Sequence, residues 1–461
     1  MKDEVFDMKK FLKKAAVPVL TALILTAGLL ILGRMVTPVG EGEYFRADVE
    51  KILENKETVD VLFLGSSRIF RSFVPEVYEE KLGVDNCLVA GSSGQRVEES
   101  YLMLKDLNAS VKPQTVVLGV QWNTFQTAEE DVLRMEHTLK LYDRLSLGGK
   151  AGYLVRNIGT DVFPQLFYLY RYRFDFTFEK IMQNLSDRRD LKTNGYTPDT
   201  TQVNTYHGNG FIYANRNLDD GNIAIDSRWK NRFDKAEIDP TRLGYLDKLC
   251  DYCKEKGIKL ILVSPPVSMM SIYNIDNFQG AIDFYTEYAK EKGIVYHNLN
   301  YVRDREEIFP DKLMYDGWHF SGEGAYKLSS VYGEILAKYL NGEDVSGYFY
   351  KDIDELKQNV NRVVALRAEG VAEGDEIRLH ITSLQNDDAD VVYCIEIARD
   401  GGKDYELLTD WTDDTDPVIP MLKENEKLRI KAALSADDEN AAWQVYDIDR
   451  LLNGEEGEVV F

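Results

Sequence analysis

Short apolar segments alternate with amphipathic helical ones, and each segment runs into a Gly/Ser-rich turn. In "TVDVLFLGSSRIF", Val59 to Leu64 are mostly β-branched, aliphatic or aromatic before Gly65-Ser66-Ser67 interrupts them. "DNCLVAGSSGQRVEESYLMLKDL" repeats strand, Gly/Ser turn and helix, and "PQTVVLGVQWNTF" supplies a third strand. "RLGYLDKLCDYCKEKGIKLILVSPPVS" and "AIDFYTEYAKEKGIVYHNLN" each read as helix, glycine stop and strand. Strands that are apolar along their whole length are buried on both faces, so the pattern predicts an α/β fold with a parallel sheet.

A chain of 461 residues exceeds one such core, and the pattern changes twice along it. Between 125 and 240 the alternation fails in an aromatic stretch and a Gly/Asn/Thr-rich stretch. This reads as an insertion on the loop side of the sheet, either a lid or hydrophobic cover. From about Val360 the segments become strands, "EIRLHITS", "DVVYCIEIARDGGKDYELLTDW", "EKLRIKAALS" and "AWQVYDIDRLL", which predict a small sandwich-like all-β domain. The expected order is a cytoplasmic N-terminus at 1–14, a transmembrane anchor at 15–36 and a linker with a helix at 37–58. The α/β domain follows at 59–340, then a linker at 341–359 and the β-rich domain at 360–461.

The anchor rests on Ala15 to Leu32, 18 residues without charge behind Lys9, Lys10, Lys13 and Lys14. That length is near the lower limit for crossing a bilayer, and the lysines favour a cytoplasmic N-terminus. The run is long for a cleaved signal peptide and no Ala-x-Ala follows it. The expectation is therefore a single-pass membrane protein with the bulk of the chain extracytoplasmic. Net charge is −23, and residues 341–461 hold 30 Asp and Glu against 12 Lys and Arg. Such a balance disfavours nucleic acid as a partner.

Four cysteines are too few for a disulfide framework, and the Cys250/Cys253 pair falls near the end of a helix, where core packing is its role. His137, His207, His297 and His380 lack the spacing of a metal site, and no GxxxxGK[ST] phosphate loop occurs, so no cofactor is expected. The fifth histidine lies in "YDGWHFSGEGAYKLS", where Asp316 precedes His319 by three residues.

In an open parallel sheet, sites form beyond the C-terminal ends of the strands. Ser67 follows the first strand, Gly94 the second and Asn123 the third. Acyl transfer needs a nucleophile, a base, a group that orients the base and donors for an oxyanion. Ser67 on its turn, His319 and Asp316 fit the first three roles; Gly94 and Asn123, or Gln121, offer donors.

At these residues the chain resembles the SGNH (GDSL-type) hydrolase superfamily, over about Val59 to Leu340. The resemblance implies a three-layer α/β fold, Ser67 as nucleophile, Gly94 and Asn123 in the oxyanion hole, and Asp316 with His319 as the terminal pair. Three departures stand out: Gly-Ser-Ser replaces Gly-Asp-Ser, Arg68 takes an apolar place, and Asn123 follows Gln121-Trp122 instead of a Gly-x-Asn-Asp turn. Gly-Ser-Ser, "QW" and the N-terminal run are similar to a subset that includes the D-alanyl transfer protein of teichoic-acid modification. That likeness implies a cell-envelope esterase or O-acyltransferase, a membrane-bound O-acyltransferase partner and a glycan or teichoic-acid substrate. The alternative is a non-catalytic carbohydrate-binding or assembly module of a membrane O-acylation complex.

Overall fold

The computed structural model describes residues 8–126, 168–174, 177–198, 201–218, 231–386, 389–438 and 441–453. The chain divides into two compact units, one from segments 1–55 and 128–198, the other from 56–127 and 199–461.

The first unit is helical, with helices Met8–Val36, Glu41–Glu54, Tyr168–Arg171 and Phe178–Asn194. Asn184 donates its side-chain amide to the Met35 carbonyl at 3.1 Å, and Arg188 reaches both the Thr37 carbonyl and the Glu43 carboxylate. The bonds to Met35 and Thr37 satisfy carbonyls at the C-terminal end of the long first helix and just past it. The apolar run expected as a transmembrane anchor at 15–36 falls inside that helix. Among the described residues, however, no helix is long and apolar enough to cross a membrane, so a spanning segment is not shown. The helix does carry exposed apolar side chains, among them Val17, Leu20, Ile24, Leu25 and Leu29.

In the second unit the strands are, in chain order, β1 (Val61–Gly65), β2 (Cys87–Gly91), β3 (Thr115–Gly119), β4 (Asn204–Gly208), β5 (Phe211–Ala214), β6 (Asn231–Arg232), β7 (Lys259–Ser264), β8 (Ile275–Asp276) and β9 (Val295–Asn298). Five make one sheet in the order β2-β1-β3-β7-β9, and every pairing in it is parallel. Every residue of β1 is buried, as a strand covered on both faces must be. The helix Gly322–Leu340 packs on Pro75–Leu82, and Pro240–Lys256 on Val97–Ser110. Asp239 caps Pro240–Lys256 by accepting from the Thr241 N–H at 2.7 Å, and Gly257 ends it in the left-handed region. Cys250 and Cys253 are buried in this helix as free thiols, and burial pushes Cys253 up to about 12.

The expected insertion at 125–240 divides. Residues 127–167, 175–176, 199–200 and 219–230 lie outside the described residues. Helix Phe178–Asn194 belongs to the first unit. The β4/β5 hairpin belongs to the second, where the Asn209 carbonyl accepts from the Val89 N–H of β2 at 2.8 Å. This part of the insertion caps an open sheet edge, which would otherwise present unpaired backbone groups.

The C-terminal strands are β10 (Ala365–Glu373), β11 (Glu376–Leu384), β12 (Val392–Ala398), β13 (Tyr405–Thr412), β14 (Val418–Pro420), β15 (Lys427–Ala433) and β16 (Ala442–Tyr446). They form two antiparallel sheets, β10-β11-β14 and β13-β12-β15-β16. On β11, Ile377, Leu379 and Ile381 alternate inward with exposed Arg378, His380 and Thr382, and they share a core with Ile395, Leu428 and Ile430. Gly401 and Gly402 turn the β12/β13 hairpin with positive φ. The segment read as a final strand runs on into the helix Ile448–Asn453.

A cluster of charges secures this domain's lead-in segment. Arg362 donates to Glu306 at 2.7 Å and to Asp311 at 3.0 Å. Asp311 also accepts the Met269 N–H at 2.9 Å, and the fully buried Arg305 donates to the Val267 carbonyl at 2.8 Å. Removing Arg362 leaves Glu306 and Asp311 to share the single, more distant counter-charge of Arg305 in a mostly buried place. Arg362→Ala should therefore lower unfolding free energy by about 3 kcal/mol in urea titration. An unchanged midpoint would mean that the cluster contributes nothing.

Candidate active site

β1 runs directly into the short helix Ser67–Phe70, with Ser66 at its N-cap. The helix can sit this close because Gly65 and Gly119 lack side chains: a Cβ on them would lie 2.7 and 2.5 Å from atoms of Ile69. The strand order reverses between β1 and β3, and the loops leaving these two strands flank the crevice where ligands bind in open α/β sheets. Ser67 stands there, half-buried.

The Asp316 to His319 turn is built locally. One carboxylate oxygen of Asp316 accepts the backbone N–H of Trp318 at 2.7 Å and of His319 at 2.8 Å. The Tyr315 N–H donates back to the His319 carbonyl at 2.8 Å. The Gly317 carbonyl accepts from the Ser268 N–H at 3.1 Å and the Ser271 hydroxyl at 2.8 Å. Beyond the turn, Ser321 caps Gly322–Leu340 by accepting from Gly324 at 3.2 Å.

Ser67 Oγ lies 2.8 Å from His319 Nε2, and His319 Nδ1 lies 2.8 and 3.0 Å from the two Asp316 oxygens. An ionised carboxylate can only accept, so Nδ1 carries the proton. In the neutral ring Nε2 is then a free acceptor, and the serine hydroxyl donates to it. Asp316 is buried, which alone would raise its pKa. The His319 hydrogen bond and charge, with the two backbone donors, outweigh burial and hold it below the usual carboxylate value. The three residues can thus pass a proton from hydroxyl to imidazole, with the carboxylate stabilising the imidazolium.

The structure joins Ser67, Asp316 and His319, and leaves Gly94 and Asn123 outside their hydrogen bonds. Gly94 sits at an exposed turn with φ +64°, a position that favours glycine. Asn123 is half-buried, with its Oδ1 sealed and unpartnered among the described residues, as is Gln121 Oε1. Ser66 makes no side-chain capping bond. The sequence reading missed the aromatic and basic frame of the turn. Arg68 lies over the Trp318 ring at 4.8 Å, and Arg71 over Tyr315 at 4.7 Å. Burial pulls Arg68 down to about 10, opposed by Asp316, so it stays a cation at neutral pH. A small cavity beside it is lined by Gln121, Trp122, Tyr285, Tyr296 and Asn300.

Three other histidines have ordinary partners: His207 stacks on Tyr213, buried His297 meets the Tyr332 hydroxyl at 3.0 Å, and His380 pairs with Asp416 at 2.8 Å. His137 lies outside the described residues.

No family model and no curated protein matches the chain. Among solved structures it is similar to a protein from Desulfitobacterium hafniense DCB-2 described as lipolytic and of the G-D-S-L family. That likeness has 13% identity and a TM-score of 0.26, and covers 60% of this chain and 98% of that one. It is similar to a GDSL-like lipase from Bacteroides thetaiotaomicron VPI-5482 at 12% identity and a TM-score of 0.28, with 64% and 99% covered. It is also similar to a two-domain esterase active on acetylated mannans, at 11% identity and a TM-score of 0.26, with 87% and 93% covered.

If Asp316 fixes the tautomer, Asp316→Asn should leave the fold intact and slow reaction of Ser67 with a fluorophosphonate by about 10³–10⁴-fold. Labelling rates by mass spectrometry measure this, and a change under tenfold would remove Asp316 from that role.

Proposed function

We propose that this chain is a serine-dependent esterase or O-acyltransferase of the SGNH type. The observation that carries the reading is the 2.8 Å approach of Ser67 Oγ to an imidazole whose other nitrogen is held by a buried carboxylate. Ser67 attacks an acyl carbonyl while His319 takes its proton, and His319 returns that proton to the leaving oxygen. The resulting acyl-serine is released to water by an esterase, or to a sugar or polyol hydroxyl by a transferase. Gly94, Asn123 and the Ser67 amide are the proposed donors to the tetrahedral oxyanion, a role that closure over substrate has to complete.

In this reading the substrates are acyl esters of cell-envelope glycans or teichoic acids. The chain works on the outer side of a membrane, beside a membrane-bound O-acyltransferase. The exposed apolar side chains of helix Met8–Val36 support attachment there, because such a surface favours lipid or a partner over water. Alkaline carbonate extraction tests the attachment. The full chain should stay with the membrane pellet and a chain lacking residues 1–36 should leave it; release of both would end the membrane assignment.

The test of the chemistry is fluorophosphonate labelling of the folded chain. Ser67→Ala should abolish it and Ser66→Ala should not. Label that persists on the Ser67→Ala chain, or never forms on the folded parent, would sink the serine mechanism.

A further inference from the structure

Within the first unit, helix Phe178–Asn194 meets the end of helix Met8–Val36 in a fixed order. Asn184 reaches the Met35 carbonyl, and Arg188 reaches the Thr37 carbonyl. The residues before Asn184 therefore run back toward the earlier, apolar part of the first helix, and helix Tyr168–Arg171 packs against that same helix. At 1.5 Å per residue Phe178 lies about 9 Å back from Asn184. That direction leads toward Leu29, Ile31 and Leu32, whose side chains are exposed.

The helix Phe178–Asn194 has three sectors. Thr177 caps its start by accepting from the Lys180 N–H at 3.2 Å. Ile181, Asn184, Arg188 and Leu191 are buried or half-buried, whereas Glu179, Gln183 and Asp190 lie on the opposite side, exposed. Between these sectors Phe178, Met182 and Leu185 form an exposed apolar stripe at i, i+4 and i+7, and exposed Arg189 and Lys192 continue it. Phe178 is 79% exposed and Phe174, four residues earlier, is 85% exposed. The Arg173 guanidinium lies over the Tyr170 and Phe174 rings at 4.1 and 4.6 Å.

Single exposed apolar residues are ordinary, but a stripe at helical spacing is a surface with a direction. This one is apolar at the end nearer the exposed apolar side chains of helix Met8–Val36 and basic at the other end. Such a gradient matches the boundary between acyl chains and headgroups. We propose that helix Phe178–Asn194 is a second membrane contact that lies in the bilayer surface. Phe178, Met182 and Leu185 enter the acyl boundary, and Arg189 and Lys192 stand among anionic headgroups. Arg173 keeps its charge in the headgroup layer while its neighbouring rings go deeper. This rests on the membrane attachment of helix Met8–Val36 given under the proposed function, and extends it: one helix tethers the first unit, whereas two contacts set its tilt on the bilayer.

Site-directed spin labelling of the full chain in phosphatidylethanolamine/phosphatidylglycerol vesicles tests this. The native cysteines are all buried, so a cysteine placed on the surface takes the nitroxide. Leu25→Cys, Phe178→Cys, Met182→Cys and Gln183→Cys are made singly, and power saturation compares relaxation by oxygen, which concentrates in lipid, with relaxation by a water-soluble nickel chelate. Oxygen should dominate at 25, 178 and 182, and the order should reverse at 183. Oxygen dominance at 25 with nickel dominance at 178 and 182 would overturn the second contact and leave the attachment standing. Nickel dominance at 25 would remove the attachment, and the second contact with it. Labels at 178 and 182 shielded from both reagents would show a protein cover in place of lipid, and oxygen dominance at 183 would show immersion without a preferred face; either result overturns the proposal.

Discussion

One buried carboxylate organises the region on which the chemistry depends. Asp316 accepts two backbone N–H groups of its own turn and the Nδ1–H of His319. The backbone bonds fold residues 316–319 into a turn, and the side-chain bond sets which imidazole nitrogen faces Ser67. Burial works against the ionised carboxylate, and the donors outweigh it. If the carboxylate were protonated or replaced by an amide, one oxygen could still accept the turn's backbone N–H groups, but the preference for the Nδ1–H tautomer would be lost.

The sheet supplies the opposing half. Because the strands of the main sheet are parallel, their C-terminal ends share one rim, and the loop after β1 opens onto it. The glycine endings of β1 and β3 admit Ile69, which seats the helix that begins at Ser67. Ser67 is thus held by packing and His319 by hydrogen bonds, and the two meet across 252 residues of sequence.

Much of this was legible in the residue pattern. Apolar runs ending in Gly/Ser marked β1, β2 and β3, and strict alternation marked β11. Asp316 and His319 were legible because their link is local, three residues long and closed by the turn itself. Other features depend on tertiary neighbours. Whether Gly94 or Asn123 can donate to an oxyanion is decided by loop conformation, which residue type does not encode. Arg216 comes to Tyr315 through the segment after the β4/β5 hairpin, and nothing in its sequence neighbourhood points there. The insertion read as one piece divides between two units, since composition marks departure from a pattern but not the partner that receives it. β10 and β14 were also passed over, β10 because its second half is mostly exposed and does not alternate.

The charge cluster at Arg362 has a reach beyond its own bonds. Asp311, held by Arg362, fixes the Met269 N–H, and the neighbouring Ser268 N–H and Ser271 hydroxyl hold the Gly317 carbonyl between Asp316 and His319. Polar contacts and a few residues of backbone therefore lead from the β-sandwich to the proton-accepting ring. In the language of native-state exchange, such links would favour opening as one cooperative unit over separate foldons. Loss of the acidic C-terminal domain would then remove one support behind the turn that carries the imidazole.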